Sequence, residues 1–165
     1  MKLSTLLPAA CLAGFVVSAH AAGIPPEALK GKMKPGLYEY KVDMNMDMSG
    51  MPPNMPPGMG KQSHTFEHCV TEDDIHRGEM GKGSQSMPKE CDIQDFQMSG
   101  NTASYKMACT GAHKMNADTK MTFGGDGYTM DMKMQSNESG HPMNMSQHIV
   151  ATYKGACTAG APTKK

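Results

Sequence analysis

From position 38 to position 48 every second residue is large and weakly polar. Tyr38, Tyr40, Val42, Met44, Met46 and Met48 alternate with Glu39, Lys41, Asp43, Asn45 and Asp47. Successive side chains of an extended chain point to opposite sides, so a period of two sorts these residues onto two faces. An amphipathic helix would instead repeat its apolar positions every three or four residues. The segment is therefore a half-buried β-strand, and a strand with one apolar face needs a sheet and something to cover that face.

The same arithmetic recurs downstream. Met115, Ala117, Thr119, Met121 and Phe123 alternate with polar neighbours, Gly124-Gly125-Asp126-Gly127 is turn material, and Tyr128, Met130, Met132 and Met134 alternate after it. A second turn, expected over Asn137 to Pro142, leads into Met143, Met145, Ile149, Ala151 and Tyr153. Three such segments joined by short turns predict an antiparallel meander. Cys91 to Cys109 reads as a further hairpin about Ser99-Gly100-Asn101. That register sets Cys91 opposite Cys109, Ile93 opposite Met107 and Asp95 opposite Tyr105, and puts Phe96 and Met98 on the other side, which calls for either a bulge or cover on both faces. In "HTFEHCV" the even positions His64, Phe66, His68 and Val70 share a face. Thr71 with Asp74 three residues later is an N-cap signal, and Gly78 can end the resulting helical turn. Pro25-Pro26 can open another through Leu29.

The N-terminal stretch has Lys2, an apolar run from Leu6 to Val17 and the small-residue site Ala19-His20-Ala21. This is the pattern of a secretory signal peptide cleaved after Ala21, and the run is too short to serve as a membrane span. The expected organisation is residues 1–21 signal peptide, 22–36 lead-in, 37–157 a single β domain and 158–165 a flexible tail. The protein is expected in the periplasm or outside the cell. Beyond Ala21 the cysteines are Cys69, Cys91, Cys109 and Cys157, an even number that predicts two disulfides in an exported chain. If the helical segment after Val70 crosses over to a strand running the same way, Cys91 and Cys109 share one end of the sheet and Cys69 and Cys157 the other. The predicted pairs are 91 with 109 and 69 with 157.

Formal net charge is zero at pH 7, and no basic patch points to nucleic acid or to a charged membrane surface. Only twelve Ile, Leu, Val and Phe residues follow Ala21, whereas the whole chain has 19 methionines. Methionine is a flexible filler of apolar space. Met44, Met46, Met48, Met107, Met115, Met121, Met130, Met132, Met134, Met143 and Met145 lie on apolar sides of expected strands, and are read as filling much of the core. The predicted fold is mainly β: about seven antiparallel strands in a curved sheet or partial barrel, one short helix in a crossover, and two disulfides.

The segments "MKPGLYEYKVDMNMDM", "MPPNMPPGM", "HCVTEDD", "CDIQDFQMSGNTASYKMACTG" and the closing "GAC" together resemble the exported bacterial family catalogued as domain of unknown function 3617. The resemblance runs from about Lys34 to Cys157. It implies an exported, β-rich domain, and no activity, substrate or catalytic residue.

Three kinds of chemistry remain legible. Thioethers are soft ligands that suit Cu(I) or Ag(I). Met51, Met55 and Met59 lie in a proline-bounded loop free of strand duty, and His64 or His68 with Met44, Met46 or Met48 makes a mixed nitrogen and sulfur set. "HTFEH" matches a zinc-hydrolase pattern that requires a helix, but its flanks are those of a strand. No nucleophile-base spacing, phosphate loop or Cys-x-x-Cys pair is present, so no enzyme is evident. The leading expectation is a non-enzymatic binding module for an apolar small molecule or lipid. The alternatives are Cu(I) or Ag(I) binding, and a structural or oxidant-absorbing envelope protein whose methionines cycle through sulfoxide.

Overall fold

The alternating segments become strands of one sheet. The computed structural model describes residues 24–47, 60–78, 90–110, 114–138 and 141–158. Over these it contains the helices α1 (Pro26–Leu29) and α2 (Glu72–His76). The strands are β1 (Gly36–Asp47), β2 (Lys61–Val70), β3 (Cys91–Ser99), β4 (Thr102–Cys109), β5 (Met115–Gly124), β6 (Gly127–Glu138) and β7 (His141–Gly155). The expected signal peptide, the loop holding Met51, Met55 and Met59, Met48, and the tail from residue 159 lie outside the described residues.

All pairings are antiparallel, and the strand order is β2-β1-β7-β6-β5-β4-β3. Consecutive strands β5 to β7 form the expected meander, and the β3–β4 hairpin continues it through β4 and β5. The N-terminal pair β1-β2 then adds to it through β1 and β7, whose register runs from Leu37 opposite Gly155 to Asp47 opposite Asn144. The edge strands β2 and β3 are not paired with each other, so the sheet is open. Because seven antiparallel strands alternate in direction, β3 runs the same way as β2 at the far edge. The chain between them, which includes α2, crosses the molecule.

That crossover settles the cysteines. Cys69 ends β2 and bonds Cys157 just beyond β7, while Cys91 opens β3 and bonds Cys109 at the end of β4. The two disulfides clamp opposite ends of the sheet, in the connectivity expected. The capping box of α2 is also formed: the Asp74 amide donates to the Thr71 hydroxyl at 3.1 Å, and the Thr71 amide to the Asp74 carboxylate at 2.9 Å.

Three local expectations change. Asp95 does not face Tyr105: the register shifts between Gln94 and Gln97, and Asp95 takes φ 53°. Aspartate tolerates this left-handed conformation better than most residues, and its carboxylate accepts a hydrogen bond from Lys106 Nζ at 2.9 Å. The bulge returns Phe96 and Met98 to the side of Ile93, and all three pack against the core. The turn expected over Asn137 to Pro142 is tighter, since Asn137 pairs with Pro142 and Glu138 with His141. The third change is the core itself. It consists mostly of tyrosines and small or branched residues: Tyr38, Tyr40, Tyr105, Tyr128, Phe123, Val42, Val70, Ala103 and Ala151, covered by Ile24, Ala28, Leu29 and Met33 of the lead-in. Of the ten expected strand methionines among the described residues, only Met121 is fully buried.

Candidate functional site

The apolar face of the sheet divides in two along the strands. At the end where β1 begins, Tyr38, Tyr40, Tyr128 and Phe123 lie under the lead-in and its helix α1, and Tyr40 stacks on Phe66 at 5.0 Å between ring centres. Tyr38 meets Tyr153 edge-on at 5.5 Å, and Lys34 Nζ lies 5.1 Å over the Tyr153 ring. Such offset and edge contacts stabilise beyond their buried area. Burial raises the phenol pKa values of Tyr38, Tyr40, Tyr105 and Tyr128, that of Tyr40 to about 12. The Tyr38 hydroxyl donates to the Lys34 carbonyl at 2.9 Å, whereas the hydroxyls of Tyr40 and Thr119 are buried beside the phenols of Tyr128 and Tyr105.

Past Val42 the described residues outside the sheet add no further cover. The lead-in and α2 supply only Ile24, Ala28, Leu29, Met33 and Ile75 to the core and its margin, too little apolar surface to mask seven strands. The other half of the same face is left to Met44, Met46, Met107, Met115, Met132, Met134, Met143 and Met145, every one of them intermediate in exposure. None of the eight belongs to the core cluster. Among the described side chains, the polar residues sharing this half, Gln62, Ser136 and Gln147, are uncharged. A contiguous half-exposed apolar area of this kind is what distinguishes an interaction surface from singly scattered apolar residues.

The opposite face is a ladder of charges. Asp131 pairs with His148 and His148 with Asp43, and Lys106, Asp118 and Lys133 follow one another across β4, β5 and β6. His148 Nδ1 lies 2.7 Å from Asp131, while the Ser63 hydroxyl donates to Asp43 at 2.5 Å and not to the histidine. A shallow cleft of about 430 Å³ runs over Asp43, Ser63, Asp131, Lys133 and His148, and one of about 520 Å³ over Lys106, Asp118 and Lys133. Cross-strand pairs of opposite charge support such a surface modestly and leave it wet.

The ligand candidates are only partly brought together. Met44 and Met46 lie on the methionine half. His64 is exposed, stacks on Phe66 at 5.9 Å and stands opposite Val42, one diagonal step from Met44. His68 is buried opposite Tyr38, six residues along β1 from Met44, which is about 20 Å of strand. It cannot share an ion with that methionine. Glu67 of "HTFEH" pairs with Glu39 and points away from both histidines, so the zinc-hydrolase arrangement does not form. No cluster of three His, Cys, Asp or Glu side chains able to hold a metal exists among the described residues. Met51, Met55 and Met59 fall outside them. The sequence did not mark Met132, Met134, Met143 and Met145 as surface residues. The available signal was the shortage of apolar residues outside the strands.

Among the described residues no helix is long and apolar enough to cross a membrane. No curated protein and no solved structure matches the chain. A family model does match it over residues 33–157, from the last residue of the lead-in's core to the second cysteine of the long disulfide. The chain thus belongs to the family described as protein of unknown function (DUF3617).

Proposed function

We propose that the protein is an exported, non-enzymatic binding module whose methionine half-face takes an apolar small molecule or a lipid chain. The observation that carries this is the division of one sheet face into a covered aromatic half and an uncovered methionine half. Unbranched thioether side chains re-pack around ligands of different shape, which is why methionine is used at adaptable binding surfaces. Uncharged neighbours keep the area apolar, and the charged ladder on the far face keeps the domain soluble. Two disulfides support export, because they persist in oxidising compartments.

The test is native mass spectrometry of the oxidised protein isolated from its own cell envelope, followed by binding of a fluorescent apolar probe to wild type and to M132D/M145D. Retention of an organic mass, together with loss of probe binding in the variant, is the expected result. An empty protein that leaves the probe unbound refutes the reading.

The half exposure of the same sulfurs favours a second reading, sacrificial oxidation. Thioethers reachable by peroxide are converted to sulfoxide and can be restored enzymatically.

A further inference from the structure

The strand register singles out one methionine. Met145 of β7 lies opposite Met46 of β1 on one side and opposite Met134 of β6 on the other. Among the described residues no other methionine has a methionine on both neighbouring strands: Met132 stands between Thr119 and Gln147, Met107 between Ile93 and Ala117, Met115 between Cys109 and Ser136, and Met130 between Met121 and Ile149. Three thioethers therefore occupy one lateral row, on strands about 4.8 Å apart, all on the same face and all half exposed.

We infer that Met46, Met134 and Met145 form a thioether site for Cu(I), which Ag(I) also fits. Directly opposite side chains on paired strands start with Cβ atoms about 5 Å apart. The rotatable bonds of methionine let the outer two sulfurs lean towards the central one. The backbones that carry them are fixed by the ladder, and Met46 N–H also donates to the Gly60 carbonyl at 2.6 Å. Flexible donors on rigid strands are the arrangement that holds a ligand set in place.

The donor chemistry selects the ion. Thioethers are neutral and soft, so they favour Cu(I) over Zn²⁺, Mg²⁺ or Ca²⁺ and need lose no proton to bind. Among the residues of this half-face whose side chains are described there is no carboxylate that would attract a hard cation: Asp43, Asp47 and Asp131 alternate onto the other side of their strands. Met44, Met132 and Met143, each two residues along a strand from a member of the row, surround the site with further half-exposed apolar surface. The site differs from the histidine-containing sets legible in the sequence, since it needs neither His64 nor His68. It also does not rest on the apolar-ligand reading.

The test is competition for Cu(I) between the full, disulfide-oxidised chain and a colorimetric Cu(I) chelator, without oxygen and with ascorbate as reductant. Wild type is compared with M46L/M134L/M145L, with M107L/M115L, and with M51L/M55L/M59L. Leucine keeps the volume and the apolar character and removes only the sulfur, and circular dichroism confirms that each variant is folded. The row variant should lose Cu(I) affinity by at least about a hundredfold, the upper end of what removing even a supporting partner costs at a metal site. The other two variants should bind as wild type does, and X-ray absorption of the loaded protein should show a sulfur-only first shell. Apolar-probe binding should survive in the row variant, which separates failure of this site from failure of the ligand reading. Absence of Cu(I) binding by wild type, undiminished binding by the row variant, or loss confined to the 51/55/59 variant overturns the inference.

Discussion

Removing each disulfide separately tests whether the crossover topology sets the stability of this domain. The Cys69–Cys157 bridge closes a loop with a sequence separation of 88, and Cys91–Cys109 one of 18. Loop-closure entropy of the unfolded chain gives about 4.6 kcal/mol for the first and about 3.2 kcal/mol for the second at 25 °C. The difference, about 1.4 kcal/mol, depends only on the logarithm of the two lengths. C69A/C157A should accordingly lose more stability than C91A/C109A, and its urea m-value should rise more, because a longer stretch of unfolded chain is released. The structure strengthens the expectation. The long bridge fastens edge strand β2, whose sheet partner among the described strands is β1 alone, to β7 in the middle of the sheet. The short bridge joins two strands already paired residue by residue from Cys91 opposite Cys109. Equilibrium urea unfolding followed by far-ultraviolet circular dichroism measures both. Equal losses, or a larger loss from C91A/C109A, would refute the argument that loop length across the sheet governs the two contributions.

Three further outcomes follow from the divided face. Folding holds the Tyr40 phenol neutral up to about pH 12, against an ordinary value of 10.0, because burial disfavours the phenolate. Its contribution is complete below pH 10 and is lost as pH rises through the folded value, a loss on the order of 3 kcal/mol. Stability curves of wild type and Y40F should diverge between pH 10 and 12, and parallel curves would show that Tyr40 is not the group involved. Met121, fully buried, should cost about 2–5 kcal/mol when cut to alanine, whereas M145L on the half-exposed part should change stability by less than about 1.5 kcal/mol; similar losses at both sites would contradict the division. Mild peroxide should oxidise Met132, Met134, Met143 and Met145 before Met33 and Met121, as peptide mapping would reveal. Simultaneous oxidation would mean that the covered half is as accessible as the other.

The fold class was legible in the sequence because a strand carries its own label. The alternation of Tyr38 to Met46 and of Met115 to Phe123 is local, and it fixes which residues share a face whatever the partner strands turn out to be. Turn chemistry at Gly100 and Gly125, both with positive φ in the structure, and the Thr71 capping box are equally local. The disulfide pairing followed from one assumption, that the segment after Val70 crosses over to a strand running the same way, which puts Cys91 and Cys109 at one end and Cys69 and Cys157 at the other. The alternation places a side chain on a face without saying what lies over that face. Met121 and Met145 have the same local pattern, yet one is sealed and the other half open. The difference arises because the few apolar residues of the lead-in and α2 gather over the tyrosine end of the sheet. Likewise the bulge at Asp95 and the row of Met46, Met145 and Met134 depend on register between strands distant in sequence. Register is set by the whole sheet at once, and so only the tertiary structure decided which of the methionines are core and which meet as neighbours at the surface.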